Sequence, residues 1–599
     1  MRTKTIPFVL MLALLIALPS AVYGAANLLI LTPDEYLDEI TPLRSFKEAS
    51  GRPTILVTLS QIRSGFPGVD DAEKVKRCIA HYEAGDGIRQ VLLVGDIDRF
   101  PTRYMYWRIV LSPTDTQENY TATDLYYADL YAADGGFDDW DSDDNGLYAE
   151  VRFQPEGNIN EDAIHYAPDV AVGRLPASTA DEVTRYVNKV IRYELATNPN
   201  DTWFKKAALY TGSWFQDDLG GYPWANNWSD EVATSLTNEG ITVTKRYWDV
   251  TNQLPPAGMP QAAISDFNAG FGFVNYIGHG SPEAWACLGL VHSNPGIPND
   301  LLRGLSNTDM WPLVFAASCD TGMFARMVPY GAYIDVSSTE HRGTQSGEII
   351  AQNPPPAPAN IQEDNDDHGA LWGSVLYPFD MACLGEHFLF GYGNPPGSGG
   401  AIAYLGERSG GQKYAPDLDK FFFASYDTGQ RVLGELWRSM VDRYYDYHDL
   451  SASSGWSYPT SEWIIGHKFT EPMKFILFGD PTLRVGGAFI DGDLCGNVYD
   501  WMFEGGPLYS YSRYRLTCDV TVPSGQRLTA QPSSSAVFLP GVKITALDSN
   551  PANGFVVTSS TANPVGLLGM PGVSHDNSFR GMKLCGEFKL RNGGQLKVH

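Results

Sequence analysis

Phe271-Gly-Phe-Val-Asn-Tyr-Ile-Gly-His-Gly-Ser281 and Pro312-Leu-Val-Phe-Ala-Ala-Ser-Cys-Asp320 share one design, a short apolar run that ends in a reactive residue. Unbroken apolar runs of this length suit strands buried on both faces, as in a parallel sheet covered by helices. The surrounding sequence has the same texture. Residues 206–211, 241–247 and 400–405 read as further strands, and residues 417–447 have helical spacing. Upstream the alternation repeats. Residues 27–32, 53–58, 90–95 and 169–176 read as strands. Residues 71–83 and 179–195 read as helices, the second with Ser178 as its expected cap. Strands alternating with helices indicate an α/β fold. Two such units are expected, at 26–198 and 199–487.

After residue 487 the texture changes. Helical spacing disappears, and short alternating runs such as 516–522 and 542–547 are separated by Gly, Pro and Ser. An all-β module over 488–599 is expected, either a solenoid or a sandwich. Residues 353–367, a proline run followed by an acidic run, suit an exposed insertion.

With 599 residues, the chain exceeds what one hydrophobic core normally serves. Its net charge of -27 argues against nucleic acid as a partner, because phosphates demand clustered Lys and Arg. The N-terminus carries Arg2 and Lys4, then an apolar run over 8–18, then small residues near Gly24 and Ala25. That order reads as a secretory signal peptide over 1–25, too short in its apolar part for a bilayer span of about 20 residues. The mature chain is therefore expected to be exported, to the cell surface, the periplasm or outside, without a membrane span. Seven widely spaced cysteines with no CxxC argue against a metal cluster. Export permits a disulfide among Cys495, Cys518 and Cys585.

The chemistry gathers where the two opening strands end. In an open parallel sheet, ligands bind beyond the carboxyl ends of the strands. If the two strands are neighbours, His279 and Cys319 emerge together there. A thiol needs a base or a positive neighbour to become nucleophilic at neutral pH, and a histidine supplies both. The Gly280 N–H is then placed to stabilise an oxyanion, together with that of Cys319. Taken singly, a Cys after an apolar strand is more often a small buried hydrophobe, and a His there a turn residue. Only their joint occurrence points to nucleophilic chemistry.

Val274-Asn-Tyr-Ile-Gly-His-Gly-Ser-Pro-Glu-Ala-Trp285 resembles the histidine motif of the gingipain family of cysteine peptidases. Phe315-Ala-Ala-Ser-Cys-Asp-Thr-Gly-Met-Phe324 resembles its nucleophile segment. Further matches, among them residues 91–96, 172–174 and 478–483, extend the resemblance over about 27–485. The resemblance implies a caspase-like α/β/α sandwich in two subdomains. It also implies hydrolysis of protein or peptide substrates through a Cys319–His279 dyad and a thioester, with no cofactor for catalysis. Trp285 would border the specificity pocket. The family's acid that orients the histidine falls near Trp214, which is not acidic, so Asp217 or Asp218 would substitute. The family's pocket acid falls near Ala225, so the resemblance does not extend to a preference for basic residues. Gingipains carry a long prodomain, whereas here the first family-like strand follows the signal peptide directly. Cys383 has a counterpart in the family without a catalytic role.

Two other readings use the same scaffold. An amine in place of water would make the enzyme a transpeptidase or sorting enzyme. A silent scaffold would leave a surface-binding protein whose C-terminal module contacts carbohydrate or a cell-surface partner. Separately, Asp139, Asp141, Asp143 and Asn145, ahead of Gly146, offer alternating oxygen ligands for a structural Ca²⁺, with Glu150 as a further ligand. A full EF-hand loop from Asp141 would end at Arg152, so the pattern is partial.

Overall fold

The computed structural model describes residues 28–49, 52–112, 115–153, 160–213, 223–286, 301–325, 382–391, 399–411, 413–450 and 467–487. It also describes residues 290–291, 333–334, 338, 340–341 and 397, and short strands between 492 and 586. The expected signal peptide, the 353–367 insertion, Trp214, Asp217 and Asp218 lie outside the described residues.

Ten strands form one central sheet. In chain order they are β1 (Leu28–Thr32), β2 (Thr54–Thr58), β3 (Gln90–Val94), β4 (Ala171–Leu175) and β5 (Lys206–Thr211). Then come β6 (Thr242–Arg246), β7 (Phe273–Ile277), β8 (Leu313–Ala317), β9 (Ala403–Glu407) and β10 (Phe475–Phe478). Across the sheet the order is β2-β1-β3-β4-β10-β9-β8-β7-β5-β6. Every neighbouring pair is parallel except β9 with β10. Strands β1, β3, β4, β7, β8, β9 and β10 are buried along their whole length, which is why their sequences lack polar alternation.

Helices flank this sheet. Leu37–Ala49 packs against Ala180–Ala196, which in turn meets Leu384–Phe390. Ala415–Asp427 packs against Trp224–Asn238 and Leu433–His448. The expected α/β class is therefore the observed one, with three differences of detail. The helix beginning at Ala180 is capped by Thr179, not Ser178, because Thr179 accepts the Glu182 N–H while Glu182 reaches back to the Thr179 N–H. The stretch 417–447 is two helices, Ala415–Asp427 and Leu433–His448, interrupted at Gly429, whose φ is 93°. An antiparallel hairpin, Arg103–Ser112 with Asp115–Thr123, lies in a part of the first unit where no strand was expected.

The two sequence units meet edge to edge in the one sheet. Strand β10 comes last in sequence yet sits in the middle, antiparallel to β9 and parallel to β4. The residues after it are tied to the first unit. Asp480 is fully buried, and its carboxylate meets Lys47 Nζ at 2.6 Å, while the same ammonium meets Glu194 at 2.7 Å. Burial pushes the Asp480 carboxyl up, but Lys47 and Thr482 more than offset it, so it lies below the ordinary carboxylate range.

Past residue 491 every described element is a strand, and the described pairings are parallel. Arg513–Val522 pairs with Ser535–Phe538, which pairs with Gly566–Gly569. Arg527–Ala530 pairs with Gly554–Ser559, which pairs with Met582–Gly586. Parallel pairing over such short separations requires the chain to coil back to the same side between strands. Cys518 in this region is disulfide-bonded. Among the described residues no helix is long and apolar enough to cross a membrane.

Lys47→Met would leave Asp480 buried without its cation. The loss is expected to be about 3–5 kcal/mol, read as a lower urea midpoint. Because the folded Asp480 pKa is depressed, its contribution is present above the ordinary carboxylate value and is lost as pH falls through the folded one. The urea midpoint of wild type should therefore drop on acidification below about pH 4, and Lys47→Met should lack that part of the drop.

Candidate active site

Strands β7 and β8 are neighbours in strict register, from Phe273 opposite Leu313 to Ile277 opposite Ala317. Two residues beyond the last pair stand His279 and Cys319. The ladder continues briefly past the strand ends, since the Gly278 N–H donates to the Ala317 carbonyl at 3.3 Å. The two loops then touch at Gly280. A Cβ there would lie 2.1 Å from Ser318 Oγ and 2.7 Å from the Cys319 carbonyl oxygen. Only glycine lets the histidine loop lie this close to the nucleophile loop.

The histidine loop is held by its backbone. The His279 carbonyl accepts from the Tyr276 hydroxyl at 2.7 Å and from the Ala286 N–H at 3.0 Å. Gly280–Ser281 and Ala284–Trp285 form a small antiparallel pair. Trp285 is fully buried, stacked on Tyr276 with centroids 4.9 Å apart, and its indole N–H donates to the Tyr404 hydroxyl at 3.2 Å. Its ring therefore braces the loop from inside. Its side chain has no exposed surface. Beneath the loop, Asn275 Nδ2 donates to both carboxyl oxygens of fully buried Asp419, at 2.9 and 2.7 Å. Burial pushes that carboxyl well above its ordinary range.

The nucleophile loop turns sharply. Asp320, the residue after Cys319, has φ 64°. The Thr321 hydroxyl donates to the Ser318 carbonyl at 3.2 Å, and the Gly322 N–H donates to the Glu407 carbonyl at 2.8 Å. Cys319 Sγ accepts the Gly411 N–H at 3.2 Å. Burial pushes the thiol up to about 12. The carboxyls of Glu407 and Asp320 add to that effect, while the Gly411 N–H and Lys474 oppose it. These surroundings favour the neutral thiol, so a nucleophilic step there would need a base at the moment of attack. Gly411, Glu407 and Lys474 carried no signal in the linear sequence, since they reach the sulfur from β9, the loop after it and a helix some 150 residues beyond Cys319.

Ala225, where the family's pocket acid was expected, is buried in the first turn of the helix Trp224–Asn238. Cys383 is fully buried at the head of the helix Leu384–Phe390, where its own N–H donates to Glu386 at 2.5 Å. That is a structural placement.

The acidic loop of the first unit is gathered differently from its sequence pattern. Asp141, Asp143 and Asp162 bring one ligand oxygen each within 4.8 Å of one another. Asn145 lies among them, donating to Asp143 at 3.2 Å and to Glu150 at 2.7 Å. Asp139 instead accepts the Asp141 N–H at 3.4 Å, as a turn residue would. Asp162 was not anticipated. Its carboxyl accepts the Ser142 and Glu150 N–H groups, both at 2.8 Å, and burial followed by the nearby Glu150 charge helps raise it to about 6.

Comparison with known proteins bears on this arrangement. A family model described as Peptidase family C25 matches residues 22–343. Lys-gingipain W83 of Porphyromonas gingivalis is 29% identical over 170 residues, covering 27% of this chain and 8% of that protein. Gingipain R2 of the same organism is 27% identical over 173 residues, covering 28% of this chain and 20% of that one. The matched part is thus a small fraction of the length of these relatives. The crystal structure of the Arg-specific cysteine proteinase gingipain R is similar at a TM-score of 0.50 and 15% identity, over 80% of this chain and 82% of that one. At that identity the likeness is one of fold, and it supports the caspase-like α/β/α architecture.

Gly280→Ala forces a Cβ into Ser318 Oγ and the Cys319 backbone. Such overpacking is expected to cost about 1–3 kcal/mol. The expected readout is a lower thermal midpoint together with an altered rate of Cys319 alkylation by iodoacetamide, because the added methyl pushes the two loops apart.

Proposed function

The chain belongs to peptidase family C25, and we propose that it is an exported cysteine endopeptidase in which Cys319 is the nucleophile and His279 its base. The observation that carries this reading is the in-register pairing of β7 with β8, together with the Gly280 contact that brings the two loops against each other. A thiol kept neutral by its surroundings suits general-base activation by the imidazole of His279. Export is supported by the signal-like N-terminus and by the disulfide at Cys518.

In the proposed reaction His279 takes the Cys319 proton as the sulfur attacks the peptide carbonyl carbon. The carbonyl oxygen becomes an oxyanion facing the N–H groups of Gly280 and Cys319. Collapse of the tetrahedral intermediate breaks the C–N bond, and the imidazolium returns its proton to the leaving amine. A thioester remains. Water, deprotonated by His279, attacks it, releases the carboxylic acid product and restores the thiol. Asp217 or Asp218 would accept from the far nitrogen of His279. With Ala225 near the position of the family's pocket acid, a preference for Arg or Lys finds no support in this chain.

The oxygen donors Asp141, Asp143 and Asp162, with Asn145 and Glu150 beside them, have the hard-ligand chemistry of a structural calcium site. Such an ion would offset the mutual repulsion of the loop carboxylates and take no part in catalysis.

Incubation with a diverse peptide library should give cleavage by wild type and none by Cys319→Ala or His279→Ala. Cleavage persisting in Cys319→Ala would remove that residue from the role. Products capped by an added amine would assign a transpeptidase, and no turnover by wild type under any condition would assign a silent scaffold. A separate measurement addresses calcium. Saturating Ca²⁺ at 100 times its dissociation constant should stabilise the fold by about 2.7 kcal/mol over chelator. Asp162→Asn should abolish that increment in the thermal midpoint, and an equal increment in the variant would reject the site.

A further inference from the structure

The sulfur of Cys319 rests on a buried charged cluster that the proposed reaction does not use. Glu407, the last residue of β9, is fully buried. Its carboxyl is packed against Gly411, so that a Cβ on Gly411 would lie 2.0 Å from Oε2 and 2.5 Å from Cδ. The N–H of that same glycine is the group that donates to Cys319 Sγ at 3.2 Å. From the helix His467–Lys474, Lys474 Nζ donates to the Gly410 carbonyl at 3.0 Å and meets Glu471 at 3.1 Å. Glu471 is fully buried and Lys474 nearly so. Arg408 donates to the Ala325 carbonyl and lies near Tyr104 and Asp320. From the nucleophile loop come Asp320, the Ser318 N–H and the thiol itself.

We propose that Glu407 is a positioning residue for Cys319, whose carboxyl seats the Gly411 N–H on the sulfur and, by holding or losing its proton, sets how readily the thiol ionises. The inference rests on reading Cys319 as the nucleophile. The Glu407 carboxyl lies directly against Gly411, in the space a Cβ there would take. The N–H of that same residue is the group the sulfur accepts. Electrostatics then fixes the direction. Three carboxyls, Glu407, Glu471 and Asp320, share the cluster with two cations, Lys474 and Arg408. Burial first, and the Glu471 charge second, hold the Glu407 carboxyl well above its ordinary range, which favours a proton on it. Once that proton leaves, the thiol must ionise beside a carboxylate in partly desolvated surroundings. Ionised Glu407 therefore opposes the thiolate, and neutral Glu407 does not.

Glu407→Gln keeps the shape and removes the charge. The test is the rate of Cys319 alkylation by iodoacetamide from pH 6 to 10, followed by intact mass, with Cys319→Ala subtracting the other cysteines. With the thiol held up to about 12, the wild-type rate climbs through this range without levelling. Glu407→Gln should react at least about tenfold faster at its upper end, where the Glu407 proton has left, and converge on wild type at its lower end, where that proton is held. Coincident profiles in wild type and Glu407→Gln would overturn the proposal. Glu407→Met, similar in length and uncharged, supplies a second test should Glu407→Gln fail to fold. It should likewise speed alkylation at the upper end of the pH range, and a wild-type rate there would overturn the proposal equally. Alkylation needs no peptide substrate, so either result stands whether or not the chain cleaves peptides. Failure of wild-type Cys319 to alkylate at any pH would instead count against its reading as the nucleophile.

Discussion

Everything at the candidate site depends on one pairing, that of Phe273–Ile277 with Leu313–Ala317. Both strands are wholly buried, so a shift of register would carry polar loop residues into the core. That burial holds the two strand ends level, and the loops leave the sheet with His279 and Cys319 at equal height. Glycine at 280 then allows a backbone approach that no side chain would tolerate. The candidate site thus stands at the centre of the sheet, at the ends of two buried strands.

The first unit is more than an appendage. Strand β10 inserts between β4 and β9, and the Gly479 N–H extends the ladder to the Arg174 carbonyl at 2.9 Å. Arg174 is fully buried and donates to Asp124 through two nitrogens, at 2.7 and 2.8 Å. Its guanidinium lies 4.8 Å from the ring centroid of Phe324, five residues past the candidate nucleophile. A charged group from the first unit therefore braces the nucleophile loop, and its buried charge is matched by a bidentate partner as desolvation requires. Stability of the first unit and geometry of the site are mechanically linked through this contact.

The cluster beneath Cys319 works in the opposite sense to stabilisation of a thiolate. Burial and two carboxyls disfavour the charged sulfur, whereas one backbone N–H and Lys474 favour it. Such an arrangement favours the neutral thiol, which is slower to oxidise than a thiolate. Local electrostatic tension of this kind is common where function competes with stability.

Much of the fold was legible in the chain. Continuous apolar runs flanked by helical spacing identify buried parallel strands because covering both faces removes polar alternation. The placement of His279, Gly280 and Cys319 just past strand ends was legible for a related reason, since each follows such a run directly. Strand β10 was not, because Phe475–Phe478 is four residues long and lies far in sequence from both neighbours. The break inside 417–447 was hidden by helical spacing on either side of Gly429. Asp162, Glu407, Gly411 and Lys474 could not be assigned either. The sequence by itself determined which residues are buried strands and which reactive groups end them, since local pattern reports local burial. Only the tertiary structure decided the strand order, and with it which residues meet the sulfur and the acidic loop. Contacts between residues far apart in the chain are set by packing and leave no mark in local spacing.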